Sequence, residues 1–179
     1  MRLELIIGSM YSGKTSELIR RIKRHQSIHQ RILVINSCLD DRYSGEGAII
    51  THDNGSYECV KVKTLSEIGR KVIDEVDVIA IDEGQFFSDL VEYTLKYCEE
   101  YKKTVIVAGL ISDFQRKRFG SILDLTHYAD CITHQTALCT QCKDNTPGIF
   151  TKKICTSELQ IDVGSTGKYT ALCRTCYLK

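Results

Sequence analysis

Short runs of apolar residues recur along the first part of the chain, with longer segments of mixed polarity between them. The runs cover residues 3–7, 31–36, 76–81 and 104–108, and they are rich in β-branched side chains. This composition favours strands over helices. Because polar residues do not alternate with the apolar ones, the pattern predicts a parallel sheet that is buried on both faces.

The segments between the runs carry helical patterns. Residues 15–30 place apolar side chains on one face of a helix. Residues 64–67 have the sequence of a capping box that opens a helix to about Asp74, and residues 89–100 supply a further helix. The apolar face of the first helix consists of Leu18, Ile19 and Ile22. Strand and helix alternate over residues 1–135, which predicts an open α/β sheet with right-handed crossovers.

The pattern changes from residue 136 onward. Paired cysteines, the single proline of the chain and several glycines replace the alternation of strands and helices. A segment this short does not bury enough apolar surface to fold alone. We therefore predict two units, an α/β domain over residues 1–135 and a small metal-stapled lobe over residues 136–179.

The composition is that of a soluble globular protein, with 42% hydrophobic and 26% charged residues. The net charge of +1 gives no bulk attraction to nucleic acid or to an anionic membrane, so we expect neither as a partner. No apolar run approaches the roughly 20 residues of a membrane span, and the first residues are too short an apolar stretch for a secretion signal. We expect a cytoplasmic protein.

Residues 8–15 match the phosphate-binding pattern G-x-x-x-x-G-K-[ST] in full, between a predicted strand and a predicted helix. Backbone N–H groups of such a loop and the positive end of the following helix bind phosphate oxygens. Lys14 is expected to neutralise phosphate charge and Thr15 to coordinate magnesium. The sequence thus predicts a site for ATP or GTP. Its expected loop residues are Gly8, Ser9, Met10, Tyr11, Ser12, Gly13, Lys14 and Thr15.

Two carboxylates, Asp82 and Glu83, follow the apolar run that ends at Ile81. An acid at the end of such a strand holds magnesium in P-loop proteins, so Asp82 is the predicted partner of Thr15. Glu83 falls in the crevice where open α/β sheets bind ligands. Its carboxylate can accept a proton from a substrate hydroxyl that attacks the γ-phosphate. A plain surface charge at a strand end is the alternative interpretation of Glu83.

The nine cysteines are expected to stay reduced, because the chain shows no secretion signal. Four of them form two C-x-x-C pairs separated by 30 residues: Cys139, Cys142, Cys173 and Cys176. Four thiolates predict a tetrahedral, structural zinc ion that makes residues 143–172 a tethered loop able to cover a ligand. A redox-active pair is the alternative. We interpret the isolated cysteines as small buried hydrophobic residues, namely Cys38, Cys59, Cys98, Cys131 and Cys155.

Two other functions remain open at this point. The basic stretch of residues 20–25 suggests a DNA-dependent ATPase with a zinc ribbon. However, charges on one helix usually form a solvated face, and the near-neutral chain argues against a groove that tracks phosphates. A GTPase-like switch protein is the second alternative, but we find no motif that reads guanine.

Five segments and the two cysteine pairs occur in a fixed order. The segments are residues 6–18 (IIGSMYSGKTSEL), 40–43 (DDRY), 51–53 (THD), 82–87 (DEGQFF) and 114–120 (FQRKRFG). As an ordered set they resemble the type II thymidine kinase family, the small zinc-containing kind, over nearly the whole chain. The resemblance implies a P-loop, RecA-like open parallel sheet with a C-terminal zinc-binding lasso lobe.

The resemblance implies that ATP, bound with Mg²⁺, gives its γ-phosphate to the 5'-hydroxyl of thymidine, with deoxyuridine as a further acceptor. The product is dTMP for DNA synthesis. Glu83 is then the general base, which agrees with the interpretation from the residues alone. The nucleotide-site residues that the resemblance adds to the loop are Asp40, Asp41, Arg42, Asp82, Glu83, Gly84 and Gln85.

An apolar slot for the thymine base is also implied, with the tethered loop lying over it and main-chain groups reading the base edge. A closed loop excludes water and limits wasteful hydrolysis of ATP. From the sequence alone the aromatic residues concerned are more often core. The implied slot consists of Met10, Phe86, Leu110, Phe114 and Phe119, with Thr151, Gln160, Ile161, Asp162, Val163, Gly164 and Tyr169 from the loop.

Two places depart from the family pattern. Residues 110–114 read LISDF where many members have LDGTF, and Arg118 stands where a proline is frequent. Both lie near the implied slot. The family is commonly tetrameric and inhibited by thymidine triphosphate, so the resemblance implies a homotetramer and that inhibitor for this chain.

Overall fold

The computed structural model describes residues 1–40, 48–50, 56–154 and 167–179. Their strands are β1 (Arg2–Gly8), β2 (Ile32–Ser37), β3 (Ala48–Ile50), β4 (Ser56–Glu58), β5 (Val60–Val62), β6 (Val78–Ile81), β7 (Thr104–Leu110), β8 (Cys131–Gln135), β9 (Ala137–Leu138), β10 (Pro147–Gly148), β11 (Phe150–Lys153) and β12 (Tyr169–Leu172). Their α-helices are α1 (Lys14–Gln26), α2 (Arg70–Asp74), α3 (Leu90–Leu95) and α4 (Arg174–Tyr177).

Six parallel strands form the central sheet in the order β5-β2-β6-β7-β1-β8. The predicted parallel α/β sheet is therefore confirmed. Its central strands are apolar on both faces: every residue of β6 is buried, and Leu3, Leu5 and Ile7 of β1 pack in one cluster while Ile6 packs in the other. Leu18, Ile19 and Ile22 of α1 cover that second face, as their spacing predicted.

The sequence predicted a single helix from the capping box at residue 64 to about Asp74. This prediction is wrong, because the helix is interrupted in its middle. The structure has a short 3₁₀ turn, Leu65–Glu67, and then α2, with extended backbone at Ile68 and Gly69 between them. Gly69, a poor helix former, lies at the break. Asp89 caps the start of the turn, because its carboxylate accepts hydrogen bonds from the Leu65 and Ser66 N–H groups at 3.1 and 2.9 Å. The cap itself is present, since the Thr64 N–H donates to Glu67 Oε1 at 3.0 Å.

The helix predicted over residues 89–100 is present, but its second half differs. After α3 the chain continues as one π-helical turn, Lys96–Glu100. Two further 3₁₀ turns, Gly84–Phe86 and Ile122–His127, complete the helical elements of the described residues.

The prediction that the isolated cysteines are buried holds for only some of them. Cys98 is buried, Cys59 and Cys131 are half-buried, and burial raises the pKa of the Cys59 thiol to about 11. Cys38 is exposed, so the interpretation is wrong there, because this residue lies in the turn that follows β2 rather than in the sheet. Cys155 lies outside the described residues.

Small two-stranded sheets follow the central sheet. In the described part of residues 136–179, β9 pairs antiparallel with β10 and β11 pairs antiparallel with β12. Leu172 is fully buried there among the paired cysteines. No helix among the described residues has the length and apolarity needed to cross a membrane.

A buried arginine joins α1 to the sheet edge. The Arg21 guanidinium, whose side chain is 9% exposed, bonds Glu4 Oε2 at 2.5 Å, Glu17 Oε1 at 2.8 Å and Thr133 Oγ1 at 2.7 Å. Arg20 binds the same Glu17 carboxylate from the solvent side, with 56% of its side chain exposed. Hydrogen bonds from Arg20 and Arg21 lower the pKa of Glu17 to about 2.

We expect Arg21→Met to lower the free energy of unfolding by about 2 kcal/mol, because two carboxylates then lose their buried partner while keeping partial access to water. Urea denaturation followed by circular dichroism measures this change. Arg20→Met is the matched control and should leave stability nearly unchanged, since water replaces an exposed ion pair at little cost. Equal losses for the two variants would contradict the structural role given to Arg21.

Candidate active site

The loop between β1 and α1 has the geometry of an anion-binding turn. Tyr11 and Gly13 adopt left-handed backbone conformations, with φ of +62° and +79°, and α1 begins at Lys14. Gly8 admits no side chain, because a Cβ there would lie 2.2 Å from the Gln135 carbonyl oxygen of β8. The loop thus directs backbone N–H groups and the positive end of a 13-residue helix to one place.

Lys14 lies across this loop. Its side chain is buried, and its Nζ donates to the Ser9 carbonyl oxygen at 2.6 Å. An ammonium group held at the start of the loop places positive charge where phosphate oxygens bind.

The predicted magnesium residues come together. Thr15 Oγ1 donates to Asp82 Oδ2 at 3.0 Å, although 67 positions separate them in sequence. Adjacent ligands of an octahedral magnesium ion, each at 2.0–2.1 Å from the metal, lie about 3.0 Å apart. The two oxygens therefore fit neighbouring positions around such an ion.

Glu83 stands next to this pair in an uncommon conformation. Its φ is +51°, its side chain is 5% exposed, and its N–H donates to Asp82 Oδ1 at 3.0 Å. Gln85 Nε2 donates to Glu83 Oε2 at 2.5 Å. The burial of Glu83 contradicts the alternative of a plain surface charge. Left-handed backbone at a residue other than glycine is strained, and such residues cluster at functional sites.

Asp40, expected near the phosphates, is buried at the end of β2. Its Oδ2 accepts from Asn36 Nδ2 at 3.0 Å, and its carbonyl oxygen accepts from Lys61 Nζ at 3.2 Å. Sequence reasoning missed both partners, since neither belongs to a motif. Asp41 and Arg42 lie outside the described residues.

The aromatic residues of the expected slot form two pairs. Phe86 and Phe119 meet edge to face with ring centres 5.6 Å apart, while Phe114 and Tyr169 are tilted with centres 6.5 Å apart. Phe119 is 8% exposed and so is partly a core residue. Leu110 lies at the end of β7, where its N–H donates to Gln85 Oε1 at 2.9 Å. The loop residues Gln160, Ile161, Asp162, Val163 and Gly164 lie outside the described residues.

Lys153 is a residue of this region that sequence reasoning missed. Its Nζ lies 4.9 Å from the ring centre of Phe114 and 5.6 Å from that of Tyr169. An ammonium group at these distances is attracted to the faces of both rings. The Tyr177 hydroxyl also donates to the Phe114 carbonyl oxygen at 2.6 Å. No sequence signal predicts either contact.

The stretch that departs from the family pattern forms an ordered turn. Asp113 Oδ1 accepts hydrogen bonds from the Gln115 and Lys117 N–H groups, both at 2.8 Å. Arg118 pairs with the Asp124 carboxylate and donates from Nε to the Gly120 carbonyl oxygen at 3.0 Å. An aspartate cap and an ion pair thus stabilise the turn that carries Phe114 and Phe119.

Two hydrogen bonds join the phosphate-binding loop directly to the C-terminal lobe. Ser9 Oγ donates to the Gly148 carbonyl oxygen at 2.8 Å, and the Met10 N–H donates to Thr151 Oγ1 at 3.0 Å. Thr151, which the resemblance implies for the nucleoside slot, thus lies next to Met10, and Gly148 is a contact that the resemblance did not include. The partners are separated by 139 and 141 positions, so no local pattern could have found them.

The two cysteine pairs form one cluster. The four Sγ atoms lie within 4.8 Å of one another, with Cys142 Sγ 3.5 Å from Cys176 Sγ and 3.7 Å from Cys173 Sγ. Thiolates at 2.3 Å from a tetrahedral zinc ion lie about 3.8 Å apart. The donor set and its spacing therefore fit zinc and leave no ligand position open for water.

The electrostatics of the cluster agree with a bound cation. A hydrogen bond from the Cys173 backbone N–H lowers the pKa of the Cys139 thiol to about 6, whereas the neighbouring Cys176 sulfur raises the pKa of Cys142 to about 12. Sulfur atoms this close repel one another as thiolates, and a divalent metal relieves that repulsion.

The basic stretch of residues 20–25 is not a uniform solvated face. Arg21 is buried and Arg20 is paired with Glu17. Two of its cations are thus already neutralised within the protein, which weakens the case for a nucleic-acid surface.

We expect purified protein to contain about one zinc ion per chain, measured by inductively coupled plasma mass spectrometry, and Cys176→Ser to lose it. Because the lobe bonds Ser9 and Met10, loss of the metal should weaken ATP binding as well as nucleoside binding. Cys38→Ser is the matched control, since this exposed thiol lies outside the cluster. Full zinc occupancy in Cys176→Ser would contradict the assignment.

Known proteins resemble this chain over almost its whole length. The family model described as thymidine kinase matches residues 1–177. The cytosolic thymidine kinase of Homo sapiens is 39% identical over 99% of this chain and 74% of its own length. Thymidine kinase 1 of Dictyostelium discoideum is 38% identical over 98% and 77%, and the thymidine kinase of Yaba monkey tumor virus is 42% identical over 99% and 94%.

Among solved structures, the replication initiator DnaA bound to AMPPCP and single-stranded DNA aligns with 75% of this chain and 40% of its own at 15% identity, with a TM-score of 0.46. A likeness at that level carries no argument about activity. The family match and the sequence relatives do, and the chain belongs to the thymidine kinase family.

Proposed function

We propose that this chain transfers the γ-phosphoryl group of ATP to the 5'-hydroxyl of thymidine with Glu83 as the general base. Thymidine phosphorylation is the activity of the family to which the chain belongs. The observation that carries the residue assignment is the position of Glu83: a buried carboxylate one residue beyond Asp82, which itself contacts Thr15 of the phosphate-binding loop. Proton acceptor and phosphate site are thus adjacent.

On the donor side, the residues bind and orient the triphosphate. Backbone N–H groups of residues 8–15 hold the phosphate oxygens, and Lys14 balances the charge that develops as the γ-phosphoryl group moves. Thr15 and Asp82 supply oxygens for Mg²⁺, which when bound neutralises charge on the phosphates. Asp40, Asp41, Arg42 and Gly84 complete the proposed nucleotide site by resemblance. Gln85, which the resemblance also implies there, donates a hydrogen bond to Glu83.

On the acceptor side, Glu83 takes the proton of the 5'-hydroxyl as that oxygen attacks the γ-phosphorus. The bond from phosphorus to the β,γ-bridging oxygen breaks, and ADP leaves with dTMP as the other product. The phenylalanine pair at 86 and 119, with Phe114 and Tyr169, offers flat apolar faces suited to a thymine ring. Met10, Leu110, Thr151 and the residues 160–164 complete the proposed slot.

Further properties belong to the same proposal. Resemblance to the family supports a homotetramer, inhibition by thymidine triphosphate, and a division into a nucleotide-binding domain of residues 1–135 and a zinc-stapled lobe of residues 136–179. The human relative is named as cytosolic, which supports a cytoplasmic location for this chain.

We expect label from γ-labelled ATP to appear in dTMP when thymidine is supplied, with deoxyuridine as a weaker acceptor and deoxycytidine as a poor one. An apolar slot favours a base that carries a methyl group over one that lacks it. Main-chain groups that read the thymine edge reject cytosine, because its N3 and 4-amino group reverse the donor and acceptor pattern of that edge. Thin-layer chromatography of parallel reactions measures the transfer. Absence of transfer to every nucleoside would refute the proposed activity.

We expect Glu83→Gln to lower kcat for thymidine by roughly 10²–10⁴, since general base catalysis contributes about that much. The ATP dissociation constant, measured by calorimetry, should change little because the phosphate-binding loop is intact. Glu92→Gln makes the same chemical change on the exposed side of α3 and should leave kcat unaltered. If Glu83→Gln retained normal turnover, Glu83 would not be the base.

A further inference from the structure

Gln85 makes two hydrogen bonds that together tie Glu83 to the end of β7. Its Nε2 donates to Glu83 Oε2 at 2.5 Å, and its Oε1 accepts from the Leu110 N–H at 2.9 Å. The side chain is 4% exposed, so water does not compete for either bond. The resemblance implies that this residue lines the nucleotide site, and in the structure its side chain joins Glu83 to Leu110.

The orientation of the amide follows from its partners. A backbone N–H is only a donor, so the end of the amide that faces Leu110 is the carbonyl oxygen, and the NH₂ end necessarily faces Glu83. If the amide were flipped, its NH₂ group would face the Leu110 N–H, and two hydrogen-bond donors would oppose each other. The hydrogen bond to the Glu83 carboxylate is therefore fixed by the main chain of the sheet.

Two glycines provide the space that Gln85 occupies. A Cβ on Gly109 would approach Gln85 Oε1 to 2.6 Å, and a Cβ on Gly120 would approach the Gln85 carbonyl oxygen to 2.3 Å. Gly120 also has a φ of +63°. Gly109 thus leaves room for the amide oxygen of Gln85, and Gly120 leaves room for its main chain.

The backbone of Glu83 is strained. The residue lies two positions after β6 in a left-handed conformation, which a non-glycine residue keeps only where the surrounding structure holds it. A carboxylate that accepts a proton must stay within about 0.5 Å of its productive position. A hydrogen bond anchored to β7 restricts the side chain to one rotamer.

We propose that Gln85 is a positioning residue, which holds the Glu83 carboxylate in place for proton transfer through the Leu110 N–H of β7. This inference rests on the proposed role of Glu83 as base. Gln85 itself does not contact the reacting atoms; it acts through Glu83.

The test is the variant Gln85→Met, which keeps the length of the side chain and removes both hydrogen bonds. We expect kcat for thymidine to fall about tenfold or more, because a misplacement of about 1 Å is costly, while the thymidine KM and the ATP dissociation constant change less than about threefold. Unchanged kcat would overturn the inference. So would weakened ATP binding in step with kcat, since Gln85 would then be a nucleotide ligand.

A double-mutant cycle separates positioning from a general structural role. In the Glu83→Gln background, adding Gln85→Met should lower kcat by less than about twofold further, because the group that Gln85 positions is already gone. The same fold loss in both backgrounds would refute the inference. Gln26→Met, at the exposed end of α1, is the matched control and should leave kcat unchanged.

A second variant covers the case in which Gln85→Met fails to fold. Gly109→Ala keeps the amide and displaces its oxygen, and we expect the same pattern of lowered kcat with normal ATP binding; normal kcat for this variant would count against the inference. Failure of the proposed function is recognised separately, because the unaltered chain then transfers no phosphate to thymidine. Normal transfer by the unaltered chain and loss in Glu83→Gln, with no effect of Gln85→Met, would refute the role of Gln85 alone.

Discussion

The contact between the Thr15 hydroxyl and the Asp82 carboxylate is the interaction on which the rest of the site depends. It joins the start of α1, which follows β1, to the residue after β6, and β7 lies between these two strands in the sheet. The two strands reach the same edge because both pair in parallel with β7, where Arg2 and Val78 each lie opposite Thr104. Parallel pairing in this register therefore brings the phosphate-binding loop next to Glu83.

The C-terminal lobe takes part in this arrangement. Ser9 and Met10 bond Gly148 and Thr151, so the loop that surrounds the phosphates is bounded on one side by the sheet and on the other by the lobe. Within the lobe, three of the four buried residues of the cluster are cysteines. A metal ion bound by these cysteines would substitute for the apolar core that so short a segment cannot build.

The sequence predicted much of this structure, and the failures have a common cause. Continuous apolar runs predicted four central strands, and the spacing of Gly8, Gly13 and Lys14 predicted the loop, because both patterns are local. The edge strands β5 and β8 were missed since their residues are only partly buried. The cap on the Leu65–Glu67 turn and the buried position of Arg21 depend on partners far along the chain, Asp89 and Thr133. Such contacts leave no periodic signal.

The left-handed backbone of Glu83 has a consequence for which substitutions this position favours. Its left-handed backbone would suit glycine better, and replacement of a strained residue by glycine relieves about 1 kcal/mol. Backbone strain alone therefore favours loss of the carboxylate that we propose as the base. At this one position, resistance to heat and ability to catalyse impose opposite demands on the chain.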